Sequence, residues 1–138
     1  MNTNEFRELK IIFLIVDISF ILYWLITFFA LIPEPYLFKD YHNQILVTWN
    51  WSFLPLDLFI SYTGLTSLIL KNKKKHEWKL WALISLVLTF CSGLQAISFW
   101  AIQKDFDPTW WFFNGILLIY PLFFIKKLLK NIKEFQID

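Results

Sequence analysis

Charged residues, cysteine, histidine and glycine are all scarce in this sequence of 138 residues. Only 17% of the residues are charged, against about 25% in soluble domains. The single cysteine, Cys91, excludes a disulfide within the chain. The two histidines, His42 and His76, lie in different polar segments, which disfavours a haem or zinc site. Three glycines are too few for a phosphate-binding loop. We therefore expect no metal and no cofactor.

Four long apolar runs dominate the sequence instead, separated by short polar segments. They extend from Ile11 to Ile32, from Ile45 to Leu70, from Leu80 to Ile102 and from Thr109 to Ile125. A helix of about 20 apolar residues spans a hydrocarbon core of about 30 Å. Only helices and closed barrels satisfy their backbone hydrogen bonds in lipid. The runs predict an all-α polytopic membrane protein, a four-transmembrane-helix bundle in which residues 1–138 form a single integral membrane domain.

Basic residues are concentrated on one side of this predicted topology. Eleven of the 13 Lys and Arg residues precede the first run, lie between the second and third runs or follow the fourth. The other two, Lys39 and Lys104, lie in the remaining connections. Because basic loops remain in the cytoplasm, we predict that both termini are cytoplasmic. A lysine run in a tight loop between two spans also disfavours nucleic acid as a partner, which leaves the lipid bilayer.

The C-terminal segment after the fourth run has a different character. Apolar residues recur there at helical spacing with lysines between them, from Ile125 to Phe135. This pattern is typical of a basic amphipathic helix on an anionic membrane surface. We therefore predict a basic amphipathic C-terminal tail, which also fixes the topology of the fourth span.

Two ionisable residues, Asp17 and Asp57, lie inside the predicted spans. A charge at the centre of a membrane helix costs about 2.5–3.5 kcal/mol on the insertion scale, and such residues usually face the bundle interior. No Lys, Arg or His lies in any span, so we expect at least Asp57 to be protonated or hydrogen-bonded by neutral groups. Asn50 and Ser61 share one helical face with Asp57, so we predict that all three point inward. We also expect a kink at Pro55.

Polar and aromatic residues of several spans fall at similar depths in the half of the bilayer away from the termini. They predict a polar, aromatic-lined pocket that opens outward and has Asp57 at its floor. The alternative is a network that only joins helix to helix, worth about 0.6 kcal/mol per hydrogen bond. The candidate ligand-binding residues are Asp57, Asn50, Gln95, Asn114, Ser61, Trp24 and Trp51.

Three segments of the sequence are distinctive. They are residues 40–57, with Trp49-Asn50-Trp51 followed by Pro55 and Asp57, the triplet Thr63-Gly64-Leu65, and residues 88–97. With these segments the chain resembles the YvaD-like family of small, uncharacterised four-span bacterial membrane proteins, over nearly its whole length. The resemblance implies a location in the bacterial inner membrane, the plasma membrane of the cell, and implies no particular activity.

Three classes of function remain open. The first is binding or transport of a small apolar or amphipathic molecule in the intramembrane pocket. The second is a structural or interaction subunit that packs against another membrane protein in a larger complex. The third is an intramembrane enzyme in which Asp57 acts as acid or base. This class has the least support, because no catalytic set of residues can be assembled from the sequence.

Overall fold

The computed structural model describes residues 3–33 and 42–134, with side chains described for residues 4–33 and 42–130. These residues form helices only, without a strand. The helices are α1 (Thr3–Phe28), α2 (Gln44–Trp51), α3 (Leu54–Asn72), α4 (Trp78–Gln103) and α5 (Pro108–Glu134). Four stretches are long and apolar enough to cross a membrane, and α2 and α3 together make the second. The predicted all-helical, four-span fold class is confirmed.

The helix boundaries differ from the predicted spans at several ends. Helix α1 begins at Thr3 rather than Ile11, because the polar residues before the apolar run continue the helix outside the hydrocarbon. It ends at Phe28 rather than Ile32. The connection between the first two predicted spans is only partly described, because residues 34–41 lie outside the described residues.

Three helices end in the same backbone motif, which places a non-glycine residue in the left-handed region. Ala30, Lys74 and Lys104 have φ values of 48°, 55° and 56°. In each case the residue after the left-handed one donates its N–H to the backbone carbonyl five positions before itself, at 2.9–3.0 Å. This is a Schellman cap, a position that usually holds glycine. The three glycines of the chain lie inside helices instead.

The second span is interrupted after its first 8 residues, where Ser52 and Phe53 separate α2 from α3. Both residues keep right-handed helical dihedral angles, so α3 continues beyond α2. Pro55 lies in the first turn of α3 and has no N–H to bond the carbonyl of Trp51. The expected disruption at Pro55 is confirmed, and it places Asp57 in the first turn of a new helix.

The helices pack in series, with α1 against α3, α3 against α4 and α4 against α5. Two glycines permit the closest approaches. A Cβ atom on Gly93 of α4 would lie 2.7 Å from the backbone nitrogen of Leu118 and 2.9 Å from the carbonyl oxygen of Asn114, both on α5. A Cβ atom on Gly64 of α3 would overlap the carboxyl group of Asp17 on α1. Small residues therefore bring these helices together, as in other membrane bundles.

Helices α1 and α5 meet only at one end of the bundle, which we call the terminal end because α1 begins and α5 ends there. The apolar cluster at this end contains Leu9, Phe13, Leu68, Trp78, Ala82, Leu86, Phe124 and Leu128. Above it, α1 and α5 are not close-packed neighbours within the described residues. The opposite end, with Asn43 and Asp107, is the loop end.

The predicted C-terminal tail is not a separate surface helix within the described residues. Helix α5 continues without a break to Glu134, and Leu128 is fully buried in the terminal cluster. The Nζ atom of Lys127 lies 3.7 Å from Glu5 and 3.8 Å from Glu8 of α1. The amphipathic pattern after the fourth run therefore continues α5, and Leu128 on its apolar side packs against the other helices of the bundle. Phe135 and the side chains of residues 131–134 lie outside the described residues.

Candidate functional site

Asp57 lies in the bundle interior, with only 5% of its surface exposed. Its Oδ2 atom accepts a hydrogen bond of 3.0 Å from the indole nitrogen of Trp24 on α1. Its Oδ1 atom accepts one of 3.3 Å from the hydroxyl of Ser92 on α4. Three spans therefore converge on one carboxyl group. The expectation that neutral groups would hydrogen-bond Asp57 is confirmed.

Asn50 lies two turns before Asp57, on the same side of the second span. The hydroxyl of Tyr23 donates to its Oδ1 atom at 3.0 Å. Asn50 is 6% exposed, and its amide nitrogen has no hydrogen-bond partner among the described residues. A buried donor without a partner is uncommon in folded proteins and marks a place where a further group can bind.

A cavity of about 740 Å³ extends from Asp57 to the loop end, between α1 and α5. It exists because these two helices close only at the terminal end. Ser92 and Ala96 of α4 form its back wall, opposite the gap. Aromatic rings from α1, from the second span and from α5 line it: Phe20, Tyr23, Trp24, Trp49, Phe53, Trp110 and Phe113.

The gap between α1 and α5 is bordered by apolar residues on the outer surface of the bundle. Ile15 on α1 is 62% exposed, and Phe113 on α5 is 60% exposed. Both residues line the cavity. Because the surrounding helices are apolar enough to cross a membrane, this side of the cavity borders the region that acyl chains would occupy.

The structure brings four of the seven predicted site residues to the cavity: Asp57, Asn50, Asn114 and Trp24. The predicted inward orientation of Asn50, Asp57 and Ser61 is confirmed, since all three are buried. Ser61 lies below the cavity, where its hydroxyl donates to the backbone carbonyls of Asp17 and Asp57 at 3.0 Å.

Two predicted residues lie elsewhere. The ring of Trp51 packs against Trp24 with centroids 5.5 Å apart, so it supports the site without lining the cavity. Gln95 is on the exposed side of α4, which corrects the prediction that it joins the pocket. Successive steps of three residues drift by about 60° around a helix of 3.6 residues per turn. Ala96, four residues after Ser92, occupies the inward position instead.

Asp17 is the second buried carboxyl group, as expected, and is 1% exposed. It does not line the cavity. Its carboxyl group packs against Gly64, and its Oδ2 atom has no hydrogen-bond partner in the described part of the chain. Within that part, no three His, Cys, Asp or Glu side chains are grouped to hold a metal ion.

Sequence reasoning missed the contribution of α1 apart from Trp24. Val16, Phe20 and Tyr23 line the cavity, and Tyr23 holds Asn50. A signal was available, because Asp17 and Trp24 are seven residues apart and thus on one face of a helix. The cavity-lining residues of α1 flank that face.

The four apolar helices define a small multi-pass helical membrane protein. The chain belongs to a family of unknown function, DUF5360, which matches residues 9–135. It is 60% identical over 125 residues to the uncharacterised protein YvaD of Bacillus subtilis, strain 168, covering 91% of this chain and 94% of the relative. This confirms the resemblance drawn from the sequence. No solved structure matches the chain.

Proposed function

We propose that this protein binds a small amphipathic molecule of the lipid bilayer in the cavity between α1 and α5. The observation that carries the proposal is the cavity of about 740 Å³ with the buried Asp57 at its floor. Ligand sites are typically concave and apolar, with a few convergent polar groups. A buried carboxyl group in a membrane helix is costly and by default indicates a functional site.

The lining supports an amphipathic ligand rather than a wholly apolar one. Aromatic rings would enclose an alkyl chain. A polar head group could form hydrogen bonds with Asp57 and with the unpartnered amide nitrogen of Asn50. The apolar border at Ile15 and Phe113 supports entry from the side, through the bilayer. Binding alone accounts for these features. Transport would require, in addition, a second conformation that opens the terminal end.

The proposal also places the protein in the bacterial inner membrane with both termini in the cytoplasm. In the sequence, 11 of the 13 basic residues precede the first span, connect the second and third spans or follow the fourth, and basic segments remain cytoplasmic. In this orientation the cavity occupies the outer half of the membrane.

A cavity-filling substitution tests binding directly. Ala96 is buried in the cavity wall, whereas Ala101 is exposed on the same helix. Protein purified in mild detergent is extracted, and the retained amphiphiles are quantified by mass spectrometry. We expect retention near one molecule per chain in the natural protein and in Ala101→Phe, and a loss of about tenfold or more in Ala96→Phe. Equal retention by both variants, with helicity preserved, would contradict the proposal.

A second candidate function is that of an interaction subunit in a larger membrane complex. It is favoured by Gln95, a polar side chain exposed within the third span. Such side chains commonly hydrogen-bond across to a neighbouring helix. If this function is correct, a stoichiometric partner should co-purify with the natural protein and be lost from Gln95→Leu. The enzyme alternative has no specific support from the site.

A further inference from the structure

We propose that the ligand of this cavity is a cationic amphiphile, an alkyl chain that carries an amine or ammonium head group. This inference rests on the proposed function and adds the sign of the head-group charge. It follows from the hydrogen bonding of Asp57, the charges around the cavity and the aromatic lining.

The hydrogen bonds of Asp57 suit a carboxylate anion. Both of its oxygen atoms accept, one from the Trp24 indole and the other from the Ser92 hydroxyl. An indole nitrogen can only donate, and an ionised carboxyl group can only accept. The Trp24 indole fixes Oδ2 as an acceptor, and the Ser92 hydroxyl donates to Oδ1 when Asp57 is ionised.

Among the described residues, the cavity lining supplies no positive charge to balance this carboxylate. None of the lining residues is Lys, Arg or His, and none of these residues lies between Ile11 and Ile32 or in the other three predicted spans. The only other ionisable carboxyl group of the lining is Asp107. Its Oδ1 atom caps α5, accepting from the backbone N–H groups of Thr109 and Trp110 at 3.0 Å.

A ligand cation would complete the site. An anionic head group would meet two carboxyl groups and no cation in the described lining. A neutral head group would leave Asp57 without a counter-charge, and the carboxyl group would then hold a proton and carry no charge. An ammonium group would instead stabilise the carboxylate form by pairing with it. The aromatic rings around it would contribute further, since ring faces attract cations and form the cages that bind quaternary ammonium groups.

Three probes with the same alkyl chain and different head groups test this inference. They are dodecyltrimethylammonium, dodecanol and dodecanoate, added at equal mole fraction to the protein in maltoside micelles. Binding is measured as the rise in thermal unfolding temperature with probe concentration. We expect dodecyltrimethylammonium to bind about tenfold or more tightly than dodecanol, as one desolvated charge pair implies, and dodecanoate to bind most weakly.

Two carboxyl variants assign the preference to one residue. Asp57→Asn keeps an oxygen atom for the Trp24 indole and removes the charge, so it should bring the affinities for ammonium and alcohol within about twofold of each other. Asp17→Asn removes a buried carboxyl group outside the cavity and should keep the preference. Because the comparison of probes needs only the natural protein, it remains decisive if a variant does not fold.

The outcomes separate this inference from the proposed function. If dodecanol binds as tightly as dodecyltrimethylammonium and Ala96→Phe abolishes both, the cavity binds amphiphiles and the cationic assignment is overturned. If no probe binds the natural protein, or if every probe binds Ala96→Phe as tightly as the natural protein, the proposed function fails together with the inference. If Asp17→Asn loses the ammonium preference as fully as Asp57→Asn, the assignment to Asp57 is overturned.

Discussion

The indole nitrogen of Trp24 donates a hydrogen bond of 3.0 Å to Oδ2 of Asp57 and so joins α1 to α3 in the bundle interior. Trp24 is 3% exposed and is the tryptophan that lies furthest from the predicted span boundaries. Its position is explained by this bond, because an indole N–H buried in an apolar bundle needs an acceptor. The same bond holds α1 at one wall of the cavity.

Removing this donor should destabilise the protein. Trp24→Phe keeps an aromatic ring and leaves Oδ2 of Asp57 without a partner, which costs about 1–3 kcal/mol. Reversible unfolding in mixed micelles measures the change in the free energy of unfolding. Trp51→Phe is the control, because no hydrogen bond of the Trp51 side chain contributes to the site. An equal loss in the two variants would show that ring volume, rather than the bond to Asp57, stabilises this region.

Replacing two glycines on facing helices with alanine should change the free energy of unfolding in opposite directions. Gly93→Ala brings a Cβ atom to 2.7 Å from the backbone of α5, so α4 and α5 must separate and the free energy of unfolding should fall by about 1–3 kcal/mol. At Gly115 a Cβ atom meets nothing within 4 Å. Gly115→Ala should therefore stabilise the helix by about 0.5–1 kcal/mol. A neutral Gly93→Ala would contradict the described contact between α4 and α5.

The left-handed cap of α4 predicts a stabilising substitution. Lys104 has φ 56°, a conformation that costs a residue with a side chain about 1–2 kcal/mol and glycine very little. Glycine also makes the unfolded chain more flexible, and this effect offsets part of the gain. Lys104→Gly should therefore stabilise the protein by up to about 1 kcal/mol. The neighbouring Gln103 is the last residue of α4, so Gln103→Gly should destabilise. If both substitutions destabilise equally, the cap is not formed as described.

The proposed orientation is tested by thiol labelling in intact cells. In a Cys91→Ser background, a cysteine at Asn43 should react with an impermeant maleimide added outside, because the loop end faces outward. A cysteine at Lys74 should react only after the membrane is opened, because the lysine-rich connection is cytoplasmic. The reverse pattern would refute the orientation and place the cavity in the inner half of the membrane.

Much of the fold was predictable because the hydrophobic effect acts on composition and periodicity, which a sequence displays. Four apolar runs predicted four spans, and the shared face of Asn50, Asp57 and Ser61 predicted their burial. Helix ends were harder to place, because they depend on capping geometry. At the end of α1 the left-handed cap residue is Ala30. The sequence gives no signal for this cap, because the usual glycine is absent from the position.

The site was only partly predictable, because a cavity depends on which helices fail to meet. Gln95 was misplaced because steps of three residues drift around a helix, and Ala96 takes the inward position. Tyr23 was missed because hydrogen bonding between α1 and α2 depends on the packing of the whole bundle. The gap between α1 and α5 arises from the order of helix packing, which apolar patterning does not specify.

The central claim is that the cavity between α1 and α5 holds a bilayer amphiphile. A density map of the protein in lipid nanodiscs, enlarged by a bound antibody fragment, tests this claim most directly. The account predicts elongated density that enters beside Ile15 and Phe113 and ends in a head group within hydrogen-bond distance of Asp57. A cavity filled only by ordered water, or closed by contact between α1 and α5, would contradict it.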